Sequence, residues 1–170
     1  MTESLLPTTS RAEVQQNGHE YHVQQSLGKF SHLKPARLMT DLKMGKVFPF
    51  PILSGSLASV GMQAKLGVPL LTCLRCIPLF VNRVEVIVQT PTAIRLKACA
   101  DHIFQGSTLE MRIEKVGEEL IYFVDGYGHE KEALFRYYSN LLFARLGLWH
   151  LFIKMNVTPY AKRLEKQLSK

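Results

Sequence analysis

The chain has 170 residues, 46% of them hydrophobic and 21% charged, the size and balance of one globular domain with a core of its own. The formal net charge of +7 favours anionic partners, but the basic residues are scattered and no nucleic-acid recognition motif accompanies them. Three cysteines, the absence of a basic-then-apolar leader, and the absence of any uncharged apolar run of ~18 residues argue against a secreted disulfide scaffold and a membrane-spanning protein. The expectation is a cytoplasmic protein.

Residues 1–18, rich in Ser, Thr, Gln and Asn, read as a disordered tail, leaving residues 19–170 as a single α+β domain. His19 to Phe30 alternates imperfectly, as a first strand would. Lys34 to Lys46 places Leu38, Met39, Leu42 and Met44 at helical spacing. Pro35 suits its first turn and Gly45 its stop. Pro49 and Pro51 forbid a central strand, so 47–56 is an extended or edge segment. Val68 to Val81 is apolar and broken by Pro69 and Pro78. It reads as buried, with its secondary structure left open.

The pattern sharpens from residue 83. Arg83 to Gln89, Ala93 to Phe104, Ser107 to Lys115 and Glu119 to Tyr127 each alternate apolar with polar residues. Tight turns at Thr90-Pro91-Thr92, Gln105-Gly106 and Val116-Gly117-Glu118 separate them. This is a four-strand antiparallel meander with one dry and one wet face. Glu132 to Lys170 then carries apolar residues at three-and-four spacing: Leu134, Tyr138, Leu141, Leu142, Leu148, Trp149, Phe152 and Met155. Pro159 must kink or restart that helix.

The meander and helix over residues 83–157, particularly RVEVIVQTPTAIRLKA, HIFQGSTLEMRIEK, ELIYFVDGYGH and LFARLGLWHLF, resemble the START-like, or Bet v 1-like (SRPBCC), helix-grip superfamily. The resemblance implies an antiparallel sheet wrapped on a long C-terminal helix. It also implies a cavity between them that holds an apolar or amphipathic small molecule of lipid or polyketide type. Met111, Ile113, Tyr122, Val124, Leu142, Arg145, Trp149 and Phe152 are the candidate lining, with a closed packed core as the competing reading.

Two further functions stay open. One is a cyclase or dehydratase of the same shape, using Tyr122, Asp125 or His129. The other is a peripheral protein that lays its basic amphipathic C-terminal helix on an anionic membrane surface.

Other constellations are weaker. Cys73-x-x-Cys76 with Cys99-x-x-His102 has the donor count of a tetrahedral zinc site. Its apolar setting, and the opposite directions of Cys99 and His102 on a straight strand, favour buried thiols. Asp101 and His102 are adjacent on that strand and cannot pair. Asp125 and His129, near the end of the sheet, could act as an acid/base pair. No nucleophile elbow, phosphate loop or dinucleotide fingerprint is present. No catalytic residue, metal or cofactor is assigned, and the oligomeric state is not legible.

Overall fold

The computed structural model of the protein describes residues 18–48, 50–69, 78–100, 105–129 and 147–170. The other residues of the predicted tail, residues 1–17, lie outside them, and Gly18 already opens the first strand.

Among the described residues seven strands make one antiparallel sheet: β1 (Gly18–Lys29), β2 (Ile52–Gly55), β3 (Gln63–Pro69), β4 (Pro78–Gln89), β5 (Ala93–Ala98), β6 (Thr108–Val116) and β7 (Glu119–His129). Their order is β1-β7-β6-β5-β4-β3-β2. Strands β2 to β7 run as a meander, and β1 returns to pair with β7 from Gly18↔His129 to Lys29↔Glu119. The predicted four-strand meander is β4 to β7, and the sheet extends it by three strands.

The extension has local causes. The proline-rich stretch does lead to an edge strand, the short β2. In β3, Ala64 and Leu66 are buried while Gln63 and Lys65 are exposed, an alternation too brief to read between Gly61 and Gly67. At Gly55 an added Cβ would meet the Gln63 carbonyl oxygen at 2.1 Å, and φ is +83°. Only glycine lets β2 turn so tightly onto β3. Strand β5 ends at Ala98, earlier than the predicted Phe104. Beyond it the Cys99 N–H still donates to the Arg83 carbonyl at 3.0 Å.

Helix α1 (Pro35–Lys43) starts at its proline as expected. It ends in a Schellman motif: Gly45, at φ +77°, donates to the Leu42 carbonyl and Lys46 N–H to the Asp41 carbonyl. The C-terminal helix comprises α2 (Leu148–Phe152), a π-helical turn (Ile153–Val157) and α3 (Thr158–Leu168). The π turn is the physical answer to Pro159. Proline has no N–H to donate and its ring crowds the carbonyl four residues back, so the helix widens ahead of it. The Asn156 side-chain amide donates to the Phe152 carbonyl at 3.0 Å, supplying a donor inside the widened turn. Residues 132–147 of the predicted helix fall mainly outside the described residues.

Helix α1 packs on β6, and all three segments of the C-terminal helix contact β1. One face of the C-terminal helix is sunk in the core: Trp149, Phe152, Ile153, Val157, Ala161 and Leu164 are buried. Polar tethers fix its length. Tyr160 donates to Asp41 Oδ2 at 3.0 Å. Asp41 is itself buried and also receives Lys46 at 2.9 Å. The Glu165 carboxylate accepts from the backbone N–H groups of Ser31, His32 and Leu33 at 2.7–3.2 Å.

Desolvation opposes ionisation of Glu165, but the backbone donors outweigh it and hold its carboxyl below the usual glutamate value. A depressed folded pKa adds stability that is complete above the unfolded value of 4.5 and is lost as pH falls through the folded one. Glu165→Gln is therefore expected to unfold at lower urea than the parent at pH 7, with the gap closing toward pH 3. Urea midpoints at both pH values check this, and a gap of equal size at both would contradict it.

Candidate functional site

The pleat of the sheet sorts side chains between a face toward the C-terminal helix and a face away from it. On the inner face Met111, Ile113, Tyr122 and Val124 are fully buried, together with Val23, Leu27, Ile94, Leu96, Val84 and Val86. Trp149 and Phe152 belong to the same core. Six of the eight predicted lining residues are thus brought into one interior. Leu142 and Arg145 lie outside the described residues.

Two aromatic members of this interior were not foreseen. Phe48 and Phe50, from the proline-rich stretch, reach into it. The Phe50 ring stands edge-on to Trp149 at 5.3 Å and to Phe152 at 5.5 Å, the edge-to-face arrangement that aromatic quadrupoles favour. Phe48 lies 6.4 Å from Phe50. The alternation of Phe48 and Phe50 with prolines was the available signal. An extended chain puts residues two apart on one side, and proline stops that side being consumed by a strand ladder.

Polar side chains also border the interior, among them Asn82 opposite Leu66 and Lys115, which donates to the Phe30 carbonyl at 2.9 Å. At the β1 edge His150 Nδ1 donates to Gln25 Oε1 at 2.8 Å, and Gln25 Nε2 donates to the Ser26 carbonyl at 2.8 Å. His150 is therefore half-buried against β1. On β7, Tyr122 is wholly buried and its hydroxyl has no hydrogen-bond partner. Burial pushes its phenol well above the ordinary tyrosine value, so it stays protonated and is a donor.

The outer face carries charge. His22, Asp125, Glu110 and Arg95 stand opposite one another on β1, β7, β6 and β5. Glu110 and Asp125 are both buried, and two carboxylates directly opposite would repel. Cations hold them. Arg95 Nη2 is 2.6 Å from Glu110. Arg112 Nε is 3.5 Å from Asp125 and 3.9 Å from Glu110, with its guanidinium 4.4 Å over the Phe123 ring. His22 Nδ1 donates to Asp125 Oδ1.

Asp125 thus pairs with His22 and Arg112. Residues 125 and 129 lie four apart along β7, roughly 13 Å at strand rise, so they cannot form the predicted acid/base pair. Tyr122 and Asp125 also point to opposite faces of β7, so they cannot act on one substrate held in the interior. The sequence signal for the true partners was faint, because His22 is 103 residues from Asp125.

A separate cleft of about 580 Å³, lined by Gln63, Arg83, Glu85, Lys97, Cys99 and Gln105 among others, opens beside β3, β4 and β5. Cys99 is the member of the predicted zinc set that is described. Cys73, Cys76 and His102 lie outside the described residues, as does Asp101. Among the described residues no three His, Cys, Asp or Glu side chains are grouped to hold a metal. No helix among them is long and apolar enough to cross a membrane.

No protein-family profile matches the chain, and no curated protein matches its sequence. Solved structures do match its shape. Ginseng major latex-like protein 151 from Panax ginseng is 11% identical with a TM-score of 0.55, over 85% of this chain and 98% of that one. Norcoclaurine synthase from Thalictrum flavum, solved as a point mutant with a transition-state analogue, is 8% identical with a TM-score of 0.54, over 87% and 98%. The Aha1 dimer from Colwellia psychrerythraea is 14% identical with a TM-score of 0.52, over 81% and 92%. At these identities the likeness concerns the fold. The chain has the START-like, Bet v 1-like helix-grip fold, an α+β architecture with an antiparallel sheet and a long C-terminal helix.

The outer network makes a stability prediction. Asp125→Ala strands Arg112 and His22 beside Glu110, and a lost buried charged hydrogen bond costs about 1–3 kcal/mol. The unfolding free energy is expected to fall by that amount, read as a lower urea midpoint with the m-value unchanged. A midpoint equal to the parent's would show that the network contributes nothing.

Proposed function

We propose that the protein binds one apolar or amphipathic small molecule between the inner face of its sheet and its C-terminal helix. The observation that carries this reading is the Tyr122 hydroxyl, a fully buried donor without a partner set among aliphatic and aromatic side chains of the core. A core selected for packing alone pairs its buried polar groups, since an unpaired one costs about 1–3 kcal/mol. Phenylalanine would fill the same space without that cost. The fold adds support, because one structural neighbour was solved holding a transition-state analogue. The lining of Met111, Ile113, Val124, Trp149 and Phe152 suits an apolar guest. Methionine adapts its packing to what it encloses, and aromatic side chains bury large apolar area.

A catalytic role on the same fold has less to rest on. The polar residues that would serve it are divided between two faces of β7, with Asp125 committed to Arg112 and His22. A membrane-surface role for the C-terminal helix competes with the core for the same side chains. Its apolar face is turned inward, leaving Leu151 and Met155 as the exposed large apolar residues of that helix before Leu168.

Native mass spectrometry of the purified protein, followed by denaturing extraction, tests the proposal. The expected result is a mass excess of one molecule per chain that extracts into organic solvent. A bare polypeptide mass that also takes up nothing from an added lipid extract would contradict it.

A further inference from the structure

Three buried side-chain polar atoms among the described residues lack hydrogen-bond partners: Arg112 Nε, Thr158 Oγ1 and Tyr122 Oη. They are not equivalent. Arg112 Nε lies on the outer face, within 3.5 Å of a carboxylate that compensates its charge. Thr158 belongs to a residue only partly buried, and a hydroxyl there can turn toward its own helix carbonyls. Tyr122 has neither recourse. It projects from the middle of a strand, where neighbouring backbone groups are committed to the ladder on both sides, to Gln25 of β1 and Ile113 of β6. Its polar cross-strand neighbour is also committed. The Gln25 amide gives its nitrogen to the Ser26 carbonyl and its oxygen to His150. The remaining inner-face neighbours, Ile113, Val124 and Met111, offer no oxygen or nitrogen.

We propose that the molecule held in this interior carries an uncharged acceptor oxygen, of ketone, ester or ether type, and that Tyr122 Oη donates to it. This rests on the ligand-binding reading above and narrows it from any apolar molecule to an oxygenated one. The direction of the bond follows from chemistry. A phenol buried this completely remains protonated, and its useful contribution is its O–H. The acceptor is uncharged because the lysine of the described inner face, Lys115 opposite Leu120, gives its ammonium to the Phe30 carbonyl at 2.9 Å, and the side chains directly around Tyr122 carry no charge. The other polar side chains of that face are Asn82, opposite Leu66 on β3, and the paired Gln25 and His150. Tyr122 is then a specificity-determining contact. It favours a guest with oxygen at one point of an otherwise apolar skeleton, and penalises a plain hydrocarbon by leaving the hydroxyl unpaired.

The test is a cycle of two ligands and two proteins, with cyclooctanone and cyclooctane as probes of equal shape and with the parent and Tyr122→Phe as proteins. Affinities are read by calorimetry. For cyclooctanone, loss of the bond is expected to weaken binding about fivefold in Tyr122→Phe, as for a neutral hydrogen bond. For cyclooctane the two proteins are expected to agree within about twofold, or the variant to bind better. Equal weakening for both probes would reduce Tyr122 to packing and overturn the inference while leaving the pocket in place. Failure of both probes to bind the parent, at concentrations near their solubility, would overturn the pocket reading and this inference with it. Thermal melting of the ligand-free proteins supplies a second readout. Tyr122→Phe is expected to melt at or above the parent temperature, because it removes only an unpaired hydroxyl. A lower melting temperature would mean that the hydroxyl already has a partner in the folded chain, and would overturn the proposal.

Discussion

The pairing of β1 with β7 is the constraint on which the remainder of the molecule depends. It joins strands about a hundred residues apart, as in Val23↔Val124, and it is the step with the largest loop-closure entropy to overcome. Its return is that β1 becomes the floor for the C-terminal helix, all three segments of which contact it. The strand also carries a polar contact on each face: His22 to Asp125 on the outside and Gln25 to His150 on the inside. Without β1 the inner face of β7, including Tyr122 and Val124, would lose its lateral neighbour and the helix would lose its seat.

The C-terminal helix is held differently at its two ends. Near α2 the contact is mainly aromatic, with Trp149 and Phe152 against Phe50. Along α3 it is polar and directional, through Tyr160 to Asp41 and Glu165 to the backbone of residues 31–33. The π turn between them separates the two modes. Aromatic packing is less directional than a hydrogen bond, favouring edge-to-face contact without fixing one donor on one acceptor. A carboxylate in a cradle of three N–H groups is directional. The helix is thus held by directional polar contacts along its C-terminal half and mainly by aromatic packing, with the His150–Gln25 bond beside it, along the half that borders Tyr122's interior through Trp149 and Phe152.

The legibility of the sequence followed the range of the interactions. Strands β4 to β7 were readable because a period of two, punctuated by Gly117, Gly106 and Pro91, is a local signal. Helix α1 was readable from Pro35 and Gly45 for the same reason. Strand β3 was hidden by its length, and β5 was overextended because the alternation persists past Ala98, where the ladder stops. The burial of these residues was also legible: Met111, Ile113, Tyr122 and Val124 share one parity, and Trp149 and Phe152 one helical face. Pairings across the whole chain were not legible. Asp125 looked to His129 in sequence and found His22 and Arg112 in space. The partnerless state of Tyr122 is a property of everything around it, so no reading of a single strand could reveal it. Phe48 and Phe50 were visible as residues, but their role depended on where β2 docks.

Trp149 is the only tryptophan in the chain and is buried in the interior proposed to hold the ligand, so its fluorescence reports on that space and no other. The most direct measurement is a titration of the protein with aminoanthracene, an apolar acceptor for tryptophan emission. A ligand site between sheet and helix predicts saturable energy transfer from Trp149 at one probe per chain, reversed by adding the extracted natural ligand. Transfer that rises linearly without saturation, or none at all, would show that the interior is closed and that the account of it as a binding site is wrong.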